Sequence, residues 1–598
     1  MAPPSTPRPA REPLVPPSGG GPEGEEGGGA DGDRGFVKAE LRTMWMIGWP
    51  MAVSFFCRTV MMSMDAAFVG HIQDEPGAPA LALPAALLAE APSAPAGGAV
   101  LGDTYETKDY LAGASLSDMA TSIMTIPLLA MAFGISPLVG QALGAGGAKM
   151  AGTWVQLSIF CITVAALPFH IAFFFVGDIL HALGFHPNLC ALAGRYAKFS
   201  VIWVLPNSWY LSLRFYFQAL GLARPAMYVG LLFLGWNALM NYILVFGGPF
   251  QHWLGWSGLG FIGAALSISI SRTLQCLLYV LYMFVYRRAH LPTWPGWNAE
   301  FLRAEHLRAF LAQTLPQVGT MLLQMAINQS ITLLVAKLGT LAVAASSAAT
   351  SATMPFTLTF LATLSTLAGI RVGFHLGSGR ADLARRTAWM VVGVGIALML
   401  LFALVLLPLR SELMSLITSD EEVQDLAVQI LPAVMLNLLA TSIVQCGTGG
   451  VLASQGRTRL STLLSLCFEL PLSLGSIAVL VLAFGADVRV VYWVQAAASV
   501  LEAAVVLLIV KRSDWEKYAA QAQARQRRRQ LPPATEPAGA DDDEERCSRR
   551  ERPSGLGAAE LRNAAWQPAA AADADALKKP EVTPAAEDQG AIPRHAGA

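Results

Sequence analysis

The sequence predicts an all-α polytopic membrane protein: twelve transmembrane helices forming two pseudo-symmetric six-helix bundles. Three observations carry that prediction. The 598 residues are 54% hydrophobic and only 14% charged, against roughly 25% charge in soluble domains. Apolar runs long enough to cross a bilayer recur twelve times. The stretch LATLSTLAGIRVGFHLGSGRADLARRTAWMVVG at 362–394 also has a weaker copy at 137–159, PLVGQALGAGGAKMAGTWVQLSI, with Leu143-Gly144 and Leu376-Gly377 standing 233 residues apart.

A span takes about 20 apolar residues, because each helical residue rises roughly 1.5 Å across a core of about 30 Å. Runs of that length lie at 44–70, 110–136, 153–177, 192–219, 226–247, 258–286, 309–337, 342–370, 387–409, 425–452, 461–485 and 490–510. Arg195, Lys198 and Arg214 interrupt the fourth. Residues 1–35 and 519–598 have no apolar period, so 1–40 reads as a disordered tail and 513–598 as a mostly disordered one. The first bundle then covers 41–286, with a low-complexity insertion at 74–107. A linker follows at 287–308, and the second bundle covers 309–512.

Orientation follows the basic loops. Lys38, Arg42, Lys149, Arg224, Arg287, Arg288, Arg303, Arg308, Arg457, Arg459, Lys511 and Arg512 fall on one side. So do Arg371, Arg380, Arg385 and Arg386, which read as one cytoplasmic loop. The alternate loops carry mainly acids, so both termini are expected in the cytoplasm. Six is an even number, so the second copy enters the membrane as the first did. Such repeats are related by an axis along the membrane normal. Gly221 and Gly456 form a second matched pair. Pro50 and Pro316 are spaced wider by about the length of the insertion.

Several function classes fall away. The seven cysteines show no CxxC or Cys/His cluster, so neither a disulfide framework nor a zinc site is supported. There is no P-loop, HExxH or GxSxG, and nothing looks enzymatic. The net charge of −1 gives no reason to expect a nucleic-acid partner. The N-terminus shows neither a secretory signal nor an Arg-rich transit peptide.

Candidate functional residues are polar groups inside the runs. Asp65, in MMSMDAAFVG, costs roughly 2.5–3.5 kcal/mol at membrane depth even on a lenient scale, and intramembrane acids default to pathway roles. The plainer reading is a helix-end aspartate facing water. Arg58 lies two turns earlier and leans away from Asp65. Asn237 and Asn241, four apart, share a helix face. They suit either a cation site or hydrogen bonds between helices. Glu469 sits mid-run and reads equally as structural or functional. Glu502 is expected against an interfacial basic group. RQRRR at 525–529 follows an amphipathic stretch and reads as solvated tail, with contact to anionic lipid as the alternative.

At this point the chain resembles the multidrug and toxic compound extrusion (MATE) family. The segments that carry the resemblance are WPMAVSFFCRTVMMSMDAAFVGHI at 49–72, GISPLVGQALGAG at 134–146, FQALGLARP at 217–225, NALMNYILVFG at 237–247, LAGIRVGFHLGSGRADLARR at 367–386 and GGVLASQGRTR at 449–459. The similarity covers about 40–525, including a post-membrane SDWEKYAAQAQAR. It implies two six-helix lobes and antiport of drugs, metabolites or organic cations against H⁺ or Na⁺. It also implies that Asp65, with Asn237 and Asn241, forms the first lobe's coupling site. Relatives carry glutamates after the proline of the seventh helix. Here those positions hold Gln324 and Gln329, with Asn328 beside them, so a coupling site in the second lobe is put in doubt. Gln324, Asn328, Gln329 and Glu469 become the expected lining of a substrate cavity.

The expected function is a secondary antiporter, not an enzyme, exporting organic, cationic small molecules in exchange for H⁺ or Na⁺. It needs no cofactor, and its partners are the substrate, the coupling cation and the lipid bilayer. It is expected as a monomer in the plasma membrane or a vacuolar or other organelle membrane. The alternatives are a lipid-linked precursor flippase of the same superfamily, and a non-transporting scaffold or sensor.

Overall fold

The computed structural model describes residues 30–69, 107–251, 255–256, 258–296, 299–418 and 420–530. Among these residues there is no strand. Twelve helices are long and apolar enough to span a bilayer: Arg34–Val69, Ala112–Gly144, Ala148–Phe174, Pro187–Ala219, Arg224–Phe246, Gly260–Tyr286, Ala304–Ala336, Thr340–Gly377, Ala381–Leu406, Glu421–Gln455, Thr458–Phe484 and Val488–Lys511. They are called here the first to twelfth spans. The face where the first span begins is the near face, and the opposite one is the far face. The insertion expected at 74–107 lies outside the described residues except for Thr107, as do 1–29 and 531–598 of the tails.

Two tail boundaries move. The first helix already runs from Ala30, so the last eleven residues of the expected N-terminal tail are helical. Beyond the twelfth span, Trp515–Gln530 forms a further helix. Trp515, Ala519, Ala522 and Gln526 follow one another at helical spacing and are all buried. This helix packs on the near-face ends of the eighth and ninth spans. The fourth span is continuous despite its charges. Arg195 and Lys198 are exposed, whereas Arg214 is fully buried with its guanidinium 3.9 Å from the centre of the Phe55 ring, a cation–π arrangement.

The packing repeats with a period of six spans. The first packs on the fifth as the seventh does on the eleventh, the second on the fourth as the eighth on the tenth, and the fourth on the sixth as the tenth on the twelfth. The matched turns share their hydrogen bonds as well. Gly146 donates to Leu143 and Gly147 to Ala142; 233 residues on, Gly379 donates to Leu376 and Arg380 to His375. Gly146 and Gly379 have φ of 75° and 76°, the left-handed conformation that glycine adopts without a Cβ clash.

The second and eighth spans meet at the near face through the duplicated segment itself. Gly140 lies on the Ile370 backbone and Gly373 on that of Pro137, while Gly144 meets Phe374 and Gly377 meets Gln141. Each pair is the other shifted by 233 residues, the reciprocal contact of a twofold interface. A Cβ on Gly140 would lie 2.6 Å from the Ile370 oxygen, so the backbones approach only because glycine stands there. Gly140→Val is expected to lower the thermal midpoint, since overpacking costs about 1–3 kcal/mol. Gly235→Val, at a site with nothing within 4 Å, is the control. Equal midpoints would refute close packing at this contact.

The four arginines expected in one loop do not share it. The eighth helix continues to Gly377 and carries Arg371 into the protein, where it is 6% exposed. Its Nε donates to Glu40 Oε1 at 2.9 Å and its Nη2 to Oε2 at 2.5 Å. His375 Nε2 stands 3.5 Å from Glu40 Oε1, and the Thr387 hydroxyl donates to the same oxygen at 3.4 Å. Arg385 and Arg386 lie in the first turns of the ninth span, which leaves Arg380 as the arginine of the turn. A buried guanidinium requires a partner, and Glu40 of the first span supplies it. The near face is thus closed by a glycine contact and by a buried ion pair joining the two halves.

Candidate functional site

The first and fifth spans pack along their length and bring Asp65 against Asn237 and Asn241. Asp65 Oδ1 accepts from both amides, each at 2.7 Å, and Asn241 Nδ2 also donates to the Asn237 carbonyl at 3.1 Å. Asp65 is 5% exposed and both asparagines are fully buried. The i, i+4 spacing aims both amides at one oxygen. Among the described residues Asp65 Oδ2, Asn237 Oδ1 and Asn241 Oδ1 have no hydrogen-bond partner. Three side-chain oxygens, one of them anionic, thus remain unsatisfied in one cluster. A proton on Oδ2 would give the amide oxygens a donor. A hard cation such as Na⁺ would take the same oxygens as ligands.

The cluster opens on a cavity of about 230 Å³. Its walls include Arg58, Asp65, Asp118, Trp203, Asn207 and Arg272, all from the first bundle. Arg58 does not pair with Asp65, in line with its lean along the helix; its Nη1 donates to Asn207 Oδ1 at 2.7 Å. Asp118, on the second span, is exposed on the cavity side with Thr121, Ser122 and Thr125 along the same wall.

The second bundle is arranged differently. Gln324 Nε2 donates to Glu469 Oε1 at 2.9 Å, tying the seventh span to the eleventh where a π-helical stretch, Glu469–Gly475, begins. Asn328 and Gln329 are exposed, and none of these four residues lines the cavity of the first bundle. The expectation for Glu502 is corrected. Rather than meeting an interfacial basic group, it is 3% exposed, and its Oε1 has no hydrogen-bond partner among the described residues. The reason is the face of the twelfth span on which it falls. Val491, Ala498, Glu502 and Val506 are buried together, so the helix turns Glu502 inward.

Asp118, Arg272, Asn207 and Glu40 are site residues that the sequence reading did not single out. Asp118 had a usable signal. It is an acid inside a run, followed by hydroxyls three, four and seven residues on, which is one helical face.

Two pseudo-symmetric bundles closed on one face, with an acid–amide cluster beside an intramembrane cavity, define a polytopic membrane transporter of the two-bundle kind. A family model described as MatE matches residues 100–243 and 316–474, just over half of the chain. The chain belongs to the MATE family of multidrug efflux transporters. Among relatives, an uncharacterized transporter of Schizosaccharomyces pombe is 26% identical over 355 residues, 59% of this chain and 63% of its own length. Protein DETOXIFICATION 16 of Arabidopsis thaliana is 25% identical over 446 residues, 73% of this chain and 80% of its own. The crystal structure of the eukaryotic MATE transporter AtDTX14 superposes with a TM-score of 0.68 at 20% identity, over 82% of this chain and all of that one. That likeness concerns the fold.

Proposed function

We propose that the protein is a secondary active antiporter. It exports organic small molecules, cationic ones among them, from the cytoplasmic near face in exchange for H⁺. It acts as a monomer in the plasma membrane or an organelle membrane. The observation that carries this reading is the Asp65 cluster, an acid held by two amides with three unsatisfied oxygens beside a cavity. Asp65 takes a proton from the far side, which removes the negative charge that a cationic substrate shares. The substrate leaves, and loss of the proton to the near side resets the site. Na⁺ is the second ion that the oxygen set fits.

The test is efflux of a fluorescent organic cation from proteoliposomes under an imposed pH or sodium gradient. A pH gradient is expected to drive efflux and a sodium gradient alone to leave it at background. Absence of efflux under both, for this cation and for a zwitterionic probe alike, would reject antiport. A lipid-linked precursor flippase is a second reading, favoured by Arg58 and Arg272 in the cavity wall. It predicts instead that a lipid-linked precursor crosses the bilayer in the same vesicles.

A further inference from the structure

We propose that Arg58 and Arg272 form an oxyanion site at the floor of the first bundle's cavity, and that the transported molecule is amphoteric, with an acidic group on the two guanidiniums and an amine toward Asp118. The inference rests on the transporter reading and names the substrate class for it.

The argument starts from unmatched charge. Three guanidiniums occupy the interior of the first bundle, those of Arg58, Arg214 and Arg272, against two carboxylates, Asp65 and Asp118. Among the described residues none of the three guanidiniums lies within ion-pair distance of a carboxylate. Arg214 is enclosed between the rings of Phe55 and Phe215. Arg58 and Arg272 face the cavity, and their side-chain hydrogen bonds are to neutral oxygens, of Asn207 at 2.7 Å and Gln275 at 3.2 Å. Asp65 carries a single charge and lies near enough to Arg272 to attract it without an ion pair, so it cannot also neutralise Arg58. Buried charges are normally paired or bound to a ligand. Here the missing partner has a cavity to arrive through.

The geometry orders the ends of the ligand. Arg58 precedes Asp65 by seven residues, which places it about 10 Å closer to the near face along the same helix. Planar guanidinium forks match the paired oxygens of carboxylate or phosphate better than they match halide. Asp118 offers a cavity-facing carboxylate for an amine, and Trp203 lies in the same wall. A purely cationic ligand would leave Arg58 and Arg272 unmatched, and an amphoteric one satisfies both ends.

The probes are a fluorophore bearing an alkylamine and a carboxylate, and its methyl ester, which keeps the cationic amine and loses the acid. Equilibrium binding to the purified full-length protein is read by fluorescence polarisation. The acid is expected to bind about tenfold tighter than the ester, the scale of a charge-assisted hydrogen bond. Arg58→Gln and Arg272→Gln should bring the ratio of the two affinities toward one, and Arg58→Lys should restore part of it. Equal affinities in the unmodified protein, or a ratio untouched by both glutamine variants, would overturn the proposal. Should the variants fail to fold, the ratio in the unmodified protein decides. A protein that binds the acid selectively yet moves neither probe across vesicles would sink the antiport reading and leave the oxyanion site standing.

Discussion

Asp65→Asn is expected to reduce pH-gradient-driven efflux to the level of empty proteoliposomes while the protein remains folded. Asparagine matches aspartate in shape, and its Oδ1 can still accept from Asn237 and Asn241, which now converge on Asp65 Oδ1 at 2.7 Å each. Two charge-assisted bonds become neutral ones, a loss of about 1–3 kcal/mol. It is offset in part because a charge 5% exposed at membrane depth no longer has to be desolvated. The thermal midpoint should therefore move little. What is lost is the proton: an amide cannot bind and release one across any accessible pH range. Gradient-free exchange of labelled for unlabelled substrate separates the causes, because it needs the cavity and the rocking halves but no net proton movement. The antiport reading expects exchange to persist while gradient-driven flux vanishes. Undiminished gradient-driven flux in this variant would reject the mechanism.

The same cluster shows what can be read along a chain. Asp65, Asn237 and Asn241 were legible because each is a polar residue that a membrane-spanning run does not tolerate without a reason, and the asparagines carry their helical spacing in plain sight. Asp118 belongs to the same kind and was overlooked among the acids of the preceding loop. Glu40 and Arg371 were not legible. They are 331 residues apart, and Arg371 reads from the sequence as one of four loop arginines. Only tertiary packing reveals that the eighth helix runs on to Gly377 and buries Arg371 against the first. Glu502 failed for a related reason. A charge near the end of a run reads as interfacial, whereas the face on which it falls decides its burial. The stretch before RQRRR reads as amphipathic, but its polar composition does not show that Trp515–Gln530 docks on the protein by its buried face.

Glu40→Gln is the second substitution expected to have a large effect, and its effect is conformational. Arg371 reaches Glu40 with two N–H groups, both side chains are buried, and the pair joins the first span of one bundle to the eighth of the other. Removing one partner of such a pair strands a buried charge, at about 3–5 kcal/mol. That penalty falls on the closed near face alone, because an opened near face returns Arg371 to water. A shift of this size changes the ratio of closed to open forms by roughly two to three and a half orders of magnitude, since about 1.4 kcal/mol is tenfold. Spin labels on cysteines replacing Lys149 and Arg385, exposed near-face residues of the two halves, would report it in a background free of the native cysteines. The inter-label distance should lengthen in Glu40→Gln and in Arg371→Gln. The double variant carries no stranded charge, so it should return most of the way to the closed distance. That recovery separates a lock from general loss of stability, which would add rather than cancel. Unchanged distances in both single variants would show that the glycine contact of the second and eighth spans closes the near face without the ion pair.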